Sequence, residues 1–547
     1  MGKLGLAPPC VAAALLGCVL FAGGALAGQQ SSPAVGAASS SSSYSRSVTS
    51  ALPATAEGYL TEAVFGTVYR AVAERYLDPV AVQTLALEGL AGLTTIDPAL
   101  SIRRDDTSVA ITFDRSIIIR LDVPASGDVS GWAILTARIV AAARKASKAL
   151  AAAGDEQIHE TVIDRALTTL DRFSRYFTPS QADDHRARRR GSGDVGIEFL
   201  LVDSRLIITN LLPASSAGTA GLRIGDHLSK IDGVDVAGLT RQQISARLRG
   251  REGTTLTAEV RRDGGPPFSL RIERTLSIPA TVLARRLDDI LYLAVKSFNR
   301  DTPTSLAAAL RDHRGKEDRG IVLDLRGNPG GLLQQSINVA DLFLNAGPIL
   351  STHGRHPDSL QSYEAGAGDA AEGIPVVVLV DGESASGSEV VAAALAEQGR
   401  AVLVGTSSYG KGTVQTVVSL PNDGELILTW SRMISPSGQM LNGRGVVPAV
   451  CTSGLAQDNP IALNRLITEM SAEAMERPIA ARDTCPAERH DRDIDIEVAR
   501  KLLSEPGLFA KLAGSRSLSA RLIHRAQLDR VEDRSMVPKP VRDESPL

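Results

Sequence analysis

Four runs constrain this chain more than any other feature: "ILYLAV", "GIVLDLR", "IPVVVLV" and "AVLVG" are apolar at almost every position, and helical stretches such as "PTSLAAALRDH" and "SEVVAAALAEQ" separate them. A strand without a polar face must be covered on both sides. Such strands alternating with helices predict βαβ units, with a sheet sandwiched between helical layers over residues 276–452. The chain has 547 residues, too many for one core, so other domains must flank this one.

Residues 1–27 combine Lys3, an apolar run from Cys10 to Leu26 and an A-x-A ending at Ala27, the layout of a secretory signal peptide. "LLGC" ending at Cys18 also resembles a lipoprotein signal, but apolar rather than polar residues follow the cysteine. The expectation is an exported protein, periplasmic or otherwise extracytoplasmic, with membrane association allowed but not required. Residues 28–52, dominated by Ser, Ala and Gly, offer little to bury and read as a flexible linker. From 53 to 188 the spacing is mostly helical around one hairpin, "SVAITFDRSIIIRLDV", and the basic run Arg186 to Arg190 reads as a solvated helix end. Residues 189–275 pack short strands and Gly/Asp turns around two brief helices, a compact domain by itself. Residues 453–547 read as helical with a frayed tail, and "HDRDID" from His490 reads as a solvated helix start.

A net charge of −3 gives no electrostatic footprint for nucleic acid. Signal cleavage would leave Cys451 and Cys485 as the remaining thiols, and an oxidising compartment permits a disulfide between them without requiring one. No C-x-x-C or H-E-x-x-H is present, so neither a metal nor a cofactor is expected.

The loop "GTSSYGKGT", Gly405 to Thr413, comes close to a phosphate-binding loop. Gly412 stands where that loop needs a hydroxyl, and the following "TVQTVVSL" is rich in β-branched residues and reads as a strand, not a helix. Lys411 therefore needs another role. "VDGESASGSEVV" puts Ser384, Ser386 and Ser388 at a switch from buried strand to helix, where N–H groups can stabilise an oxyanion or where serines and Glu389 can simply cap a helix. "GESAS" nearly matches G-x-S-x-G, yet none of the eight histidines lies in a recognisable partner motif. If a serine here is a nucleophile, Lys411 is the obvious base. Freeing its amine at pH 7 would cost about 4.6 kcal/mol from an ordinary lysine, a cost that burial lowers. With strand spacing, Lys411 and Gln415 would share a face.

"GIVLDLRGNPGGLL", "LVDGESASGSEVVAAAL", "VGTSSYGKGTVQ" and "NGRGVVP", in that order, resemble the carboxy-terminal processing peptidases, PDZ-containing serine endopeptidases with a Ser-Lys(-Gln) site. Upstream, "DRFSRYFTPSQ" is similar to the segment these enzymes carry before their PDZ domain, and the stretch from "VGIEF" to "KIDGVDV" resembles that domain. The resemblance implies a crotonase-like α/β protease core, with an inserted or preceding PDZ domain and helical N- and C-terminal regions. It also implies Ser386 as nucleophile, Lys411 as general base, Gln415 as its orienting partner, and an oxyanion hole from Gly387 and the Gly330-Gly331 turn. Three departures stand out: Gly387 where alanine is frequent, Ser408-Tyr409 before G-K-G, and Pro448-Ala449 where Pro-Asp is common.

A PDZ domain adds a peptide as an extra strand and holds its terminal carboxylate on loop N–H groups, here those of Val195, Gly196 and Ile197, although Gly196 could merely relieve a turn. The partners implied are protein or peptide substrates with free C-termini, and an adaptor or regulatory protein is compatible. Two rivals are a catalytically inactive PDZ scaffold that binds exported tails and a crotonase-like acyl-CoA enzyme. Retention of Ser386, Lys411 and Gln415 together argues against the first, and an export signal argues against the second.

Overall fold

The four apolar runs line up as neighbours in one sheet. The structure, a computed structural model, describes residues 56–455 apart from 204, 213 and 316, together with 484–487 and 493–515; the expected signal, linker and tail lie outside the described residues. Strand order is Val282–Leu287, Ile290–Val295, Gly320–Asp324, Val376–Val380, Ala401–Gly405 and Val450–Cys451, the first antiparallel to the second and the rest parallel. Successive side chains point to opposite faces. Leu291, Leu293, Leu323 and Val378 therefore pack on one side with residues of the helices Thr302–His313, Leu333–Asp341 and Gly387–Glu397. Tyr292, Val322, Val377 and Leu379 pack on the other with Val498, Leu502 and Leu503 of the helix Asp493–Ser504. Neighbouring strands end at Asp324, Val380 and Gly405, so the loops that follow them emerge side by side at the carboxyl edge.

The helix start at "HDRDID" departs from the solvated end expected of it. His490 lies outside the described residues, and Asp495 is fully buried, accepting hydrogen bonds from Arg326 Nη1 (3.0 Å) and Thr452 Oγ1 (2.6 Å). Arg326 also donates from Nε (2.8 Å) and Nη2 (2.6 Å) to Asp324, so one guanidinium sits between two carboxylates. Burial pushes Asp324 up, but the hydrogen bonds and charge of Arg326 together with the hydrogen bond from Tyr292 hold the carboxyl below its ordinary range. Cys451 and Cys485 form a disulfide, and Ala487 beside it accepts from Thr406 Oγ1 (3.4 Å).

The helices Ala56–Arg75, Val82–Ala91, Val129–Ala146 and Asp155–Leu167 bury Phe65, Leu85, Trp132 and Ile158 in a cluster that also takes in Leu420, Leu426 and Leu428. The helical region thus shares its core with a second sheet, ordered Gln361–Glu364, Pro348–Gly354, Glu425–Ile434 and Thr413–Ser419, with Arg175–Phe177 added to the third strand. Its expected hairpin is a three-stranded sheet, because Leu100–Arg104 pairs with Ser108–Phe113; the outer end of "LSIRR" is exposed and charged, which hid it. Nor is the basic run a purely solvated end. Arg189 Nη2 donates to both oxygens of the buried Glu425 (2.9 Å each), Arg186 Nη1 reaches it at 3.3 Å and His185 Nδ1 contacts it at 2.9 Å.

Between these layers in sequence, Phe199, Leu206, Ile208, Leu228, Ile244 and Val260 gather in an apolar cluster of their own. Its sheet runs Phe268–Glu273, Thr255–Arg261, His227–Ile231, Arg205–Leu211, Ile197–Val202, with helices Ser216–Thr219 and Arg241–Leu248. Entry and exit meet where Ser192–Asp194 pairs antiparallel with Thr275–Ser277.

Candidate active site

Three serines compete for one role at the strand-to-helix switch, and their hydrogen bonds separate them. Ser384 Oγ donates to Leu325 O (2.8 Å) and Ser388 Oγ to Asn328 O (2.8 Å), and both residues are completely buried. Ser386 keeps 9% exposure, and its hydroxyl donates to no acceptor among the described residues. Its backbone sits at φ 56°, ψ −112°, a conformation that side-chain-bearing residues avoid and that presents the hydroxyl from a sharp turn. The 11-residue helix Gly387–Glu397 begins directly after it, so its positive dipole end lies at Ser386.

Glu389 holds this turn. The Ser386 N–H donates to Glu389 Oε2 (2.7 Å), while Ser408 Oγ (2.6 Å) and the Gly410 N–H (2.6 Å) donate to Oε1, and the Lys411 N–H joins them. One buried carboxylate thereby fastens the serine turn to the lysine loop. Burial pushes the Glu389 carboxyl above its ordinary range against the pull of these donors. Close backbone contact explains the glycines around Lys411: a methyl on Gly412 would meet Asn442 N at 1.9 Å, and one on Gly445 would meet Ser408 Oγ at 2.6 Å. The second glycine of G-K-G thus admits the neighbouring chain at Asn442, and the strand Thr413–Ser419 follows instead of a helix.

Lys411 precedes that strand instead of lying in it, and the ladder is bulged between Val414 and Gln415, so the even-spacing argument for Lys411 and Gln415 fails. The amine lies 5.1 Å from the centre of the Phe173 ring. Burial and the nearby Arg175 hold its pKa below that of an ordinary lysine, although Glu389 and Asp171 pull the other way. Gln415 donates to Thr413 Oγ1 (3.0 Å) and more weakly to Thr429 Oγ1 (3.4 Å), not to Lys411. Thr429 in turn donates to Asp171 (3.1 Å), whose carboxylate also caps the N–H groups of Phe173 and Ser174.

The Gly330-Gly331 turn abuts the serine. A methyl on Gly330, at φ 100°, would lie 2.8 Å from Ser386 Cβ and 3.0 Å from Gly387 N. Gly330 spends its N–H on Asn328 Oδ1 (2.8 Å), whereas the N–H groups of Gly331 and Gly387 have no acceptor among the described residues. The expected donors are thus narrowed to two. No cluster of metal-ligating side chains occurs among the described residues.

The sequence profile of peptidase family S41 matches residues 289–451, and that of a PDZ domain matches residues 207–262. A carboxy-terminal-processing protease of Bartonella bacilliformis is 38% identical over 302 residues, 54% of this chain and 70% of that protein. The chain belongs to the carboxy-terminal-processing protease family. Carboxy-terminal processing protease CtpB of Bacillus subtilis is 31% identical over 54% of this chain and 63% of its own length. Among solved structures, a photosystem II D1 C-terminal processing protease aligns with 72% of this chain and 92% of its own at 23% identity, with a TM-score of 0.37. This S41 peptidase carries three residues at the site that the motifs did not single out for it: Glu389, Asn328 and Phe173. Glu389 had a signal, since it is the one charge in the apolar start of "GSEVVAAALAE".

Proposed function

We propose that this family member is an exported endopeptidase in which Ser386 attacks the scissile carbonyl of an unfolded protein after its C-terminal tail has been captured by the PDZ domain. Neutral Lys411 takes the serine proton as the Oγ–carbon bond forms, and the Gly387 and Gly331 N–H groups receive the negative charge on the carbonyl oxygen. Lysinium then protonates the leaving amine, and water releases the acyl-enzyme with Lys411 again as base. Gln415 has its amide oxygen left to accept from the lysine amine. Val195, Gly196 and Ile197 are the loop proposed for the terminal carboxylate. The domain limits given above, 189–275 and 276–452, belong to the same reading.

The observation that carries it is the shared carboxylate: Glu389 ties the backbone of Ser386 and the backbone of the Lys411 loop to one point, beside two unspent N–H groups. Export is supported by the Cys451–Cys485 disulfide, which favours an oxidising compartment. No helix among the described residues is long and apolar enough to cross a membrane. The test is incubation of the chain with an unfolded protein bearing an apolar, free C-terminus, with mass spectrometry of the products. Discrete internal cuts that vanish in Ser386→Ala are expected; cuts that persist in that variant would refute the nucleophile.

A further inference from the structure

The peptide groove of the PDZ domain is already partly occupied by the protein itself. The strand Ile197–Val202 ends its sheet, and its outer edge is where an added strand would pair. At the entrance of that edge, Asp194 Oδ1 accepts from the Val195 N–H at 2.6 Å and from the Gly196 N–H at 3.1 Å. Those are two of the three N–H groups that the carboxylate loop would offer a ligand. Farther along the edge, Arg241 Nη1 donates to Phe199 O (3.0 Å) and its guanidinium lies 4.9 Å from the Phe199 ring centre. A carboxylate thus holds backbone donors and a guanidinium holds a backbone acceptor, both on the path of an incoming peptide.

Asp194 is not a loosely placed side chain. Its strand pairs with Thr275–Ser277, the neighbouring Gly193 exchanges two hydrogen bonds with Gly250 (3.0 Å each), and Arg249 Nε, directly after the helix Arg241–Leu248, stands 3.5 Å from Asp194 Oδ2. The carboxylate is therefore delivered to the loop by three separate elements. Ionised carboxylates are strong acceptors, and two of them cannot share one N–H pair without like-charge repulsion.

We propose that Asp194 is a specificity-determining residue of this groove, a built-in carboxylate that a substrate tail must displace before its own can be held. The inference rests on the tail-reading function proposed above. The groove consequently rejects tails that offer only a carboxylate and admits unfolded tails whose apolar side chains compensate for the displacement. Arg241 sets a second, weaker gate at the strand edge.

The test uses the full chain in a Ser386→Ala background, so that nothing is cut, and a short fluorescent peptide with an apolar end, as free acid and as C-terminal amide. Asp194→Ala is expected to raise affinity for the acid about tenfold while leaving the amide unchanged. Asp194→Asn keeps an acceptor in the loop but removes the charge, and should fall between the two. Acid affinity that stays level or drops in both Asp194 variants, while the parent still prefers acid to amide, would overturn this inference alone and leave Asp194 a structural turn residue. Equal affinity for acid and amide in parent and variants would overturn tail reading and the inference together.

Discussion

Lys411 carries its amine into surroundings that disfavour charge, and the sign of that effect fixes how activity must vary with pH. A base works only when deprotonated, so kcat/KM should rise with pH along a limb centred below the ordinary lysine value of about 10.4. Arg175 is one cause of the depression, so Arg175→Gln should move that limb to higher pH; an unmoved limb would show that Arg175 plays no part. Gly387 gives a second prediction. A methyl there would come within 3.0 Å of both the Phe298 ring and Ser336 Cβ, so Gly387→Ala should cost about 1–3 kcal/mol in thermal or denaturant unfolding while retaining the N–H and hence measurable proteolysis. At this scale the motifs that single out Ser386 and Lys411 are legible in sequence because they are local. The sequence could not show that Ser384 and Ser388 spend their hydroxyls on carbonyls about 60 residues away, nor that Asn328 takes the Gly330 N–H. Even spacing is no guide to whether Lys411 and Gln415 share a face, because a β-bulge removes the parity on which that argument depends.

Among the elements, the helix Asp493–Ser504 does more than cover the sheet. Its Asp495 shares Arg326 with Asp324 in a fully buried position, and removing one partner of such a group leaves an uncompensated charge. Asp495→Ala should therefore cost about 3–5 kcal/mol of unfolding free energy, read from chemical denaturation. A loss under about 1 kcal/mol, the usual level for a solvated pair, would place that helix end in water after all. The Cys451–Cys485 disulfide closes a separation of 34 residues, for which chain entropy gives about 4 kcal/mol; reduction should lower stability on that scale. The βαβ layers were legible because unbroken apolar runs admit few other arrangements. The buried ionic group was not, since "DID" beside charged neighbours is indistinguishable in sequence from a solvated helix start, and its partners lie 169 and 43 residues away.

For the whole molecule, the PDZ cluster shares no apolar residue with the other three, and its entry and exit are paired at Ser192 and Ser277. Excising residues 192–277 and closing the gap with a short glycine linker should leave the remaining layers folding cooperatively, because few contacts are cut. Proteolysis by the excised form should no longer distinguish substrates with a free C-terminus from amidated ones; a preserved preference would place tail reading elsewhere. The helical region offers no such cut, because Leu420, Leu426 and Leu428 bind it into the core of the second sheet and Arg186 and Arg189 grip Glu425. That union joins residues far apart in the chain, and periodicity alone could not reveal it. The layers hold the serine turn and the lysine loop on one buried carboxylate, with burial depressing the lysine pKa, and one substitution addresses the proposed pairing directly. Lys411→Arg keeps the positive charge but cannot be deprotonated at any working pH. Steady-state kcat/KM on an unfolded protein substrate should fall by roughly 10⁴-fold or more, to the level of Ser386→Ala, because nucleophile and base act as a unit. Near-normal cleavage by Lys411→Arg, with Ser386→Ala inactive, would contradict the assignment of Lys411 as the base.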